Sequence, residues 1–331
     1  MESQQNEINV VKESDVSEKS FSWDIDKASD LKGNIENHIG FARIPVGKAG
    51  PLVMSGVQQE IFVPLATTEG TLVASYSRGM KALTMSGGVT SICLEQSVQR
   101  CPLFKFSNIL EALKFSKWAK HQFHYFQTMV IETSNYASLE SIEYHHEGNT
   151  VTCSFSYSCG DAAGQNMVTI ATDHICKYIV KYAPVNVKRW FIEGNMAGDK
   201  KGTVRSLTAG RGRKVISECL LKGNVIESVL KSTAERMYEG WTESNLSMMQ
   251  VGALGNHAHI ANGLAAIYLA CGQDVACVAE SAAGIIRFEI IDGSDLYVAL
   301  TLPNIIVGTV GGGTHLPTQR AALEMLGCYG T

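Results

Sequence analysis

Residues 64–83 read PLATTEGTLVASYSRGMKAL. The run that enters this stretch, QEIFVPLA, has the composition of a β-strand. The run that leaves it, GTLVASYSRGMKALTMSGG, spaces its apolar residues as a helix does and closes at paired glycines. Thr67, Thr68 and Glu69 stand at the joint between strand and helix. On local grounds two readings are open. The threonines and the glutamate can cap the helix, or the carboxylate can do chemistry at the mouth of the core.

Outward toward the N-terminus, IENHIGFARIPVGKAGPLVMSG (35–56) is dense in glycine and proline and reads as turns between short extended pieces. Residues 1–25 are polar and charged, with no apolar stretch of signal-peptide type, and are expected to form a disordered tail. Outward toward the C-terminus, residues 108–127 are helical in pattern. VTCSFSYSC (151–159) alternates like a strand, and a helix is expected over 165–182. This block has its own composition, so 102–190 is expected to be a small domain inserted into a larger one formed by 26–101 and 191–331. Beyond it come helical stretches near 224–239 and 257–271, then strands at GIIRFEII and LYVALTL. A glycine loop, GTVGGGT (308–314), opens the final helix.

The chain has 331 residues, 45% hydrophobic and 18% charged, with a formal net charge of −4. That length supplies a large core, in one large domain or two. Mild acidity gives no electrostatic case for nucleic acid or for an anionic membrane surface. The 9 cysteines occur without a CxxC pair, which argues against a zinc site or a disulfide framework and for reduced cytoplasmic thiols. No run reaches the roughly 18 to 20 apolar residues of a membrane-spanning helix. No metal ligand set is expected, since His257 and His259 are spaced poorly for helical ligation.

The remaining polar islands each have a plain reading. GDKKG around Asp199, Lys200 and Lys201 is commonly a solvated turn. ACGQDVAC, with Asp274, is commonly a polar helix stop. GDAAGQN (160–166) can be a turn into a helix, and GTVGGGT a flexible loop, although glycine amides at a helix start also suit phosphate.

The order of these islands decides between readings. ENHIG followed by PVGKAGPL, TTEG, GDAAGQN, DKK, GQD and GTVGGGT occur in the sequence found in 3-hydroxy-3-methylglutaryl-CoA (HMG-CoA) reductases, in register from about residue 30 to the last residue. The chain resembles the catalytic portion of that family. The resemblance implies an α+β fold, with a large substrate-binding domain and an inserted small ferredoxin-like dinucleotide-binding domain. It also implies a homodimer or higher homo-oligomer with its active site at a subunit interface.

Residue by residue, the resemblance makes Glu69 the proton donor, Lys200 the partner of the oxyanion formed when hydride reaches the carbonyl, and Asp274 the modulator between them. Arg100 would hold the glutaryl carboxylate bidentately. Asn195, Asp199, Lys201 and Asn262 fall where the family places polar partners of the substrate or the catalytic lysine. Glu36 and Asn37 would line the CoA side. The dinucleotide motifs fall on Asp161, Ala162, Gly164, Gln165 and Asn166, and on Gly308, Gly311, Gly312, Gly313 and Thr314. The implied cofactor is NADPH. Yet the animal-type TSRxARL, which supplies basic residues near the 2′-phosphate, is TSNYASL here, and with Asn135 and Ser138 in place of arginines NADH stays open.

Three departures keep alternatives open. Glu193 stands where animal-type members have serine and Asn224 where they have lysine, which admits a related acyl thioester as substrate. Family members also continue past the GGGT helix into a flap whose histidine protonates the departing CoA thiolate. His315 is not that residue, so the chain is expected to lack the flap, by truncation or by loss, and a binding homologue of low activity is the third reading.

Overall fold

The computed structural model describes residues 31, 33–208 and 210–330. The tail expected over 1–25 lies outside them. Two units are distinguished, Met1–Pro45 and Val46–Thr331. In the first, a turn bonds the amides of Asn34 and Ile35 to the Leu31 carbonyl, at 2.9 and 3.1 Å.

The second unit opens with a two-stranded antiparallel sheet, β1 (Val46–Leu52) on β2 (Ile61–Ala66). Helix α1 (Leu72–Met85) lies against it. Leu72, Val73, Tyr76 and Met80 supply the apolar stripe, meeting Ala49, Val63 and Leu65 of the sheet. Contact is close enough that a Cβ on Gly47 would sit 2.6 Å from Val73 Cγ2. The helix stops at Ser86, and Gly87 and Gly88 follow with φ of 108° and 93°, which only glycine adopts without cost.

The remaining strands form one sheet of eight, in order β7-β4-β6-β3-β8-β10-β9 with β5 added on β6. Its first half is β3 (Thr90–Arg100), β4 (Leu103–Lys105), helices α2 (Ile109–His121) and α3 (Phe123–Thr133), β5 (Ser138–Glu147), β6 (Thr150–Ser158), α4 (Gln165–Tyr182) and β7 (Arg189–Phe191). Strands β4, β5, β6 and β7 lie in the order β7-β4-β6-β5, every neighbour antiparallel. With α2–α3 and α4 as the crossovers, this is the ferredoxin-like βαββαβ arrangement. Strand β3 joins the halves: Thr90–Ser97 pairs with β8, while Val98–Arg100 pairs with β6.

The chain continues through α5 (Arg205–Thr208), β8 (Gly212–Leu221), α6 (Gly223–Val225) with a π turn at Ile226–Leu230, α7 (Ala234–Gln250), α8 (Ile260–Ala270), α9 (Val278–Ser281), β9 (Ile285–Ile291), β10 (Asp295–Ile305) and α10 (Pro317–Met325). Two helical expectations need correction. The run at 108–127 is two helices hinged at Gln122 and reaching Thr133. The run at 224–239 breaks at Lys231, whose φ is 59°, and restarts when the Thr233 hydroxyl accepts the Arg236 amide, continuing to Gln250. The helix over 165–182 forms as expected. Among the described residues no helix is long and apolar enough to cross a membrane.

Candidate active site

Glu69 sits on the turn between β2 and α1. Its amide donates to Thr67 Oγ1 at 2.9 Å, whereas α1 starts later, at Leu72, behind a left-handed Thr71 with no side-chain cap. The threonine therefore shapes the turn that carries Glu69 and does not cap the helix. The carboxylate accepts from Asn262 Nδ2 at 3.3 Å, at the start of α8. Helices α1 and α8 meet over Gly263, where a Cβ would fall 2.2 Å from Tyr76 Oη. Burial raises the Tyr76 phenol, a Gly263 backbone hydrogen bond opposes this, and the charge of Glu69 adds to it. Glu69 itself is exposed.

Lys200 lies in a tight turn with Asn195, Gly198 and Lys200 at φ of 62°, 70° and 56°. Its ammonium is 2.8 Å from Asp274 Oδ2, and both side chains are about half exposed. Asp274 Oδ1 accepts the Ala276 amide at 3.0 Å, which makes the aspartate the cap of a short 3₁₀ turn, Val275–Cys277, after α8 has ended. The hydrogen bond that the Lys200 amine donates to Asp274 holds it above its usual range. Burial pushes the Asp274 carboxyl up, but the Lys200 hydrogen bond, the Ala276 amide and the charges of Lys200 and Arg211 outweigh it and hold it low. Asp274 bonds Lys200, and Glu69 bonds Asn262. Lys201 turns back on its own loop, reaching Asn195 Oδ1 at 3.2 Å and the Asp199 carbonyl at 2.9 Å.

Beneath this turn lies a buried ionic layer that sequence reading missed. Arg211 Nε donates to Glu280 Oε2 at 2.9 Å, and its Nη2 reaches Glu280 Oε1 at 2.7 Å and Asp199 Oδ1 at 2.5 Å. Arg100 meets Glu193 at 3.3 Å, Thr169 Oγ1 at 2.8 Å and Asp199 at 3.8 Å. Arg100 and Asp199 are thus engaged with protein partners, and the charge of Glu193 is absorbed by Arg100 and the Cys101 amide at 3.1 Å. Asp199, Cys277 and Glu280 bring ligand atoms within 4.8 Å of one another. The Arg211 guanidinium fills that centre, donating to both carboxylates and to Cys277 Sγ at 3.9 Å.

The two glycine motifs, far apart in sequence, meet. Thr309 N–H donates to the Asp161 carbonyl at 2.8 Å, and Ala162 pairs with Val310 as a parallel bridge. A Cβ on Gly308 would lie 2.4 Å from Ala163 N, so only glycine lets the loops close. Gln273, beside Asp274, holds the Gly308 peptide from both sides: Nε2 donates to its carbonyl at 2.9 Å and Oε1 accepts its amide at 2.8 Å. Arg213 donates to the Gly160 carbonyl at 2.8 Å and also to the Val307 carbonyl. Gly164, with φ of 77°, precedes α4, and the Gln165 amide just inside that helix is buried with neither its oxygen nor its nitrogen hydrogen-bonded. Asn166 is exposed beside it. Gly311 has φ of 75°, Gly312 and Gly313 enter a 3₁₀ turn, and Thr314 Oγ1 donates to the Gly311 carbonyl at 2.6 Å. This closed glycine cradle with an unpartnered amide fits a polar dinucleotide. Glu36 and Asn37 lie in the separate first unit and are exposed, Asn37 with φ of 51°.

Known proteins match this assembly. The family model of hydroxymethylglutaryl-coenzyme A reductase covers residues 2–331. A 3-hydroxy-3-methylglutaryl-coenzyme A reductase of Aeropyrum pernix is 41% identical over 300 residues, which is 90% of this chain and 71% of that protein. Its counterpart from Pyrococcus horikoshii is 39% identical over 312 residues, covering 93% of this chain and 75% of that protein. In fold, the chain is similar to the class II 3-hydroxy-3-methylglutaryl-CoA reductase of Streptococcus pneumoniae, solved bound to NADPH in open conformations. That likeness has a TM-score of 0.71 at 17% identity, over 92% of this chain and 82% of that one. The chain belongs to the hydroxymethylglutaryl-coenzyme A reductase family.

Proposed function

We propose that the protein catalyses the NADPH-dependent, two-step reduction of HMG-CoA to mevalonate and free CoA. The observation that carries this reading is the junction at residues 273–274. Asp274 pairs with Lys200 at 2.8 Å, and the adjacent Gln273 grips Gly308 of the glycine cradle at 2.8 and 2.9 Å. A cation for a developing oxyanion is thereby tied to a dinucleotide cradle.

In the first step the thioester carbonyl becomes a hemithioacetal, whose oxyanion the Lys200 ammonium balances. Collapse re-forms a carbonyl and expels CoA as thiolate. In the second step the aldehyde is reduced to the alcohol, Lys200 again facing the oxyanion and Glu69 supplying the proton. Asp161–Asn166 and residues 308–314 would hold NADPH, which when bound supplies hydride to both steps. Asn195, Lys201 and Asn262 contact the substrate, whereas Arg100 and Asp199 act by bracing the lysine turn. The segment 102–190 is the cofactor domain, and 26–101 with 191–331 the substrate domain. A homodimer completes the site, since Glu69 is exposed in one chain and bonds neither Lys200 nor Asp274. Asn135 and Ser138 are exposed, and Ser138 donates to Glu140, so nothing cationic in that stretch favours NADPH strongly and NADH also serves. The protein works in the cytoplasm.

The test is NADPH oxidation by the purified protein with HMG-CoA, with mevalonate identified by mass. Lys200→Ala is expected to cost about 10²-fold or more in kcat, and Lys201→Ala to act mainly on KM. Oxidation that does not depend on HMG-CoA would defeat the reading.

A further inference from the structure

Arg211 and Glu280 are buried to 1% and 0% exposure, and no step above uses them. Taking both charges out of water is costly, and an apolar pair of similar volume often folds as well. Stability alone is therefore a poor reason for the pair. Its geometry supplies a better one. Glu280 Oε1 accepts the backbone N–H of Lys200 at 3.1 Å, from 80 residues further along the chain. Arg211 grips that carboxylate through two nitrogens and takes Asp199 Oδ1 with one of them, while Asn304 Nδ2 approaches Glu280 Oε2 at 3.4 Å. Asp199 directly, and the Lys200 backbone through Glu280, are thus tied to one guanidinium. Lys200 also sits at φ 56°, a left-handed conformation that a lysine rarely takes unless its surroundings impose it.

We infer that Glu280, itself held by Arg211, is a positioning residue: it fixes the left-handed backbone of Lys200 and so aims the ammonium at the reacting carbonyl. This rests on the reading of Lys200 as the oxyanion partner. The carboxylate does not touch substrate and exchanges no proton. Its work is to remove the freedom of the turn before substrate arrives, as pre-organised sites require.

Two kinds of variant and one measurement on the unaltered protein test it. Glu280→Gln keeps an oxygen for the Lys200 amide, whereas Arg211→Met combined with Glu280→Leu removes the acceptor together with its buried counter-charge and leaves Asp199 to Arg100, 3.8 Å away. The paired apolar variant is expected to fold and to lose about 10- to 10²-fold in kcat, the scale of a misplacement near 1 Å. KM for HMG-CoA and for NADPH should stay within about threefold, because only a transition-state contact is lost. Glu280→Gln should recover most of that loss. Placed on Lys200→Ala, the paired substitution should cost little more, since it acts through the missing lysine. A folded paired variant with unchanged kcat, or an equal further loss on Lys200→Ala, overturns the inference. In the unaltered enzyme, carrying isotope-labelled lysine, the Lys200 amide should exchange with solvent far more slowly than that of Lys201. Fast exchange overturns the inference even if the paired variant does not fold. A silent Lys200→Ala removes the reading of Lys200 and this inference together. A strongly impaired Lys200→Ala beside an indifferent pair removes this inference alone.

Discussion

Phe155 and Glu280 are both sealed from solvent, at 1% and 0% exposure, yet the layers around them are made of opposite materials. Around Phe155, in the ferredoxin-like half, stand Phe104, Phe106, Phe115, Phe126 and Tyr157, none more than 1% exposed. Rings there meet tilted or stacked, with Phe104 and Phe115 at 5.2 Å, Phe106 and Phe115 at 4.9 Å, and Phe155 stacked on Tyr157 at 6.3 Å. Around Glu280 stand Arg211, Asp199 and Asn304, joined by charge and hydrogen bonds. An apolar layer holds because many small contacts and the exclusion of water add up. An ionic layer gains little net stability but sets angles and distances. The first kind of core carries a platform, and the second aims a side chain.

The contrast makes its largest expected effect on the apolar side. Phe155→Ala should cost about 3–5 kcal/mol of stability, from lost burial and the cavity left behind. Chemical denaturation followed by fluorescence measures it. Molecules that remain folded should keep most of their kcat with saturating cofactor, because the Phe155 ring packs on Phe126 and Tyr157, and its backbone pairing with Arg100 does not depend on the ring. A large loss of kcat in a fully folded variant would erase the division between platform and aiming layer.

A smaller effect tests the seam between motifs, where backbone rather than side chain does the packing. Gly308→Ala places a methyl group 2.4 Å from the Ala163 amide nitrogen, so one loop must move. Gln273 grips that same peptide, so its hydrogen bonds should loosen as well. We expect KM for NADPH to rise about tenfold, with a loss near 1.4 kcal/mol, the scale of a lost hydrogen bond. KM for HMG-CoA should change much less. Equal changes in both would mean that the loops serve the whole site and not the cofactor alone.

These two cores also mark where sequence reading succeeds. The helix over 165–182, strand β6 and helix α1 are legible because their periodicity is local and one face of each is apolar. The break at Gln122 was not legible, since no glycine or proline marks it, and strand β3 was missed because it changes partners halfway along. The site splits the same way. Lys200, Asp274 and Glu69 were singled out through motif order, and the structure joins Lys200 to Asp274 as a pair. Arg211 and Glu280 were missed because they stand 69 residues apart, and no local pattern links an arginine in GRGRKV to a glutamate in CVAES. The alternation of Arg211 and Arg213 at the entry to β8 was the one available signal. Gln273 was read as part of GQD, yet nothing in one sequence says that a glutamine amide will match both polar groups of a distant peptide.

The smallest expected effect concerns the exposed edge of the ionic layer, where Lys200 and Asp274 meet. Both side chains are about half exposed, so the pair adds little to stability. Its signature belongs in the pH dependence of the rate. The amine of Lys200 is held above its usual value by the Asp274 hydrogen bond and charge, with burial opposing. A raised folded value means that the charged lysine persists as pH rises past the ordinary lysine value of about 10.4, and is lost only beyond it. The Asp274 carboxyl is held low despite burial, so its charge is kept above the ordinary aspartate value of about 3.9 and lost only on acidification below that. Between these limits the pair does not titrate, and any change of rate near neutrality comes from another group. In Asp274→Asn the amine loses the hydrogen bond and charge that raise it, while burial still lowers it. The alkaline limb of the kcat profile should therefore move to lower pH, with the rate below that limb reduced but flat. Initial rates of NADPH oxidation from neutral to strongly alkaline pH, corrected for thioester hydrolysis without enzyme, measure the limb. A limb that stays in place would mean that Lys200 is not the group whose charge the reaction needs, or that Asp274 is not what sustains it.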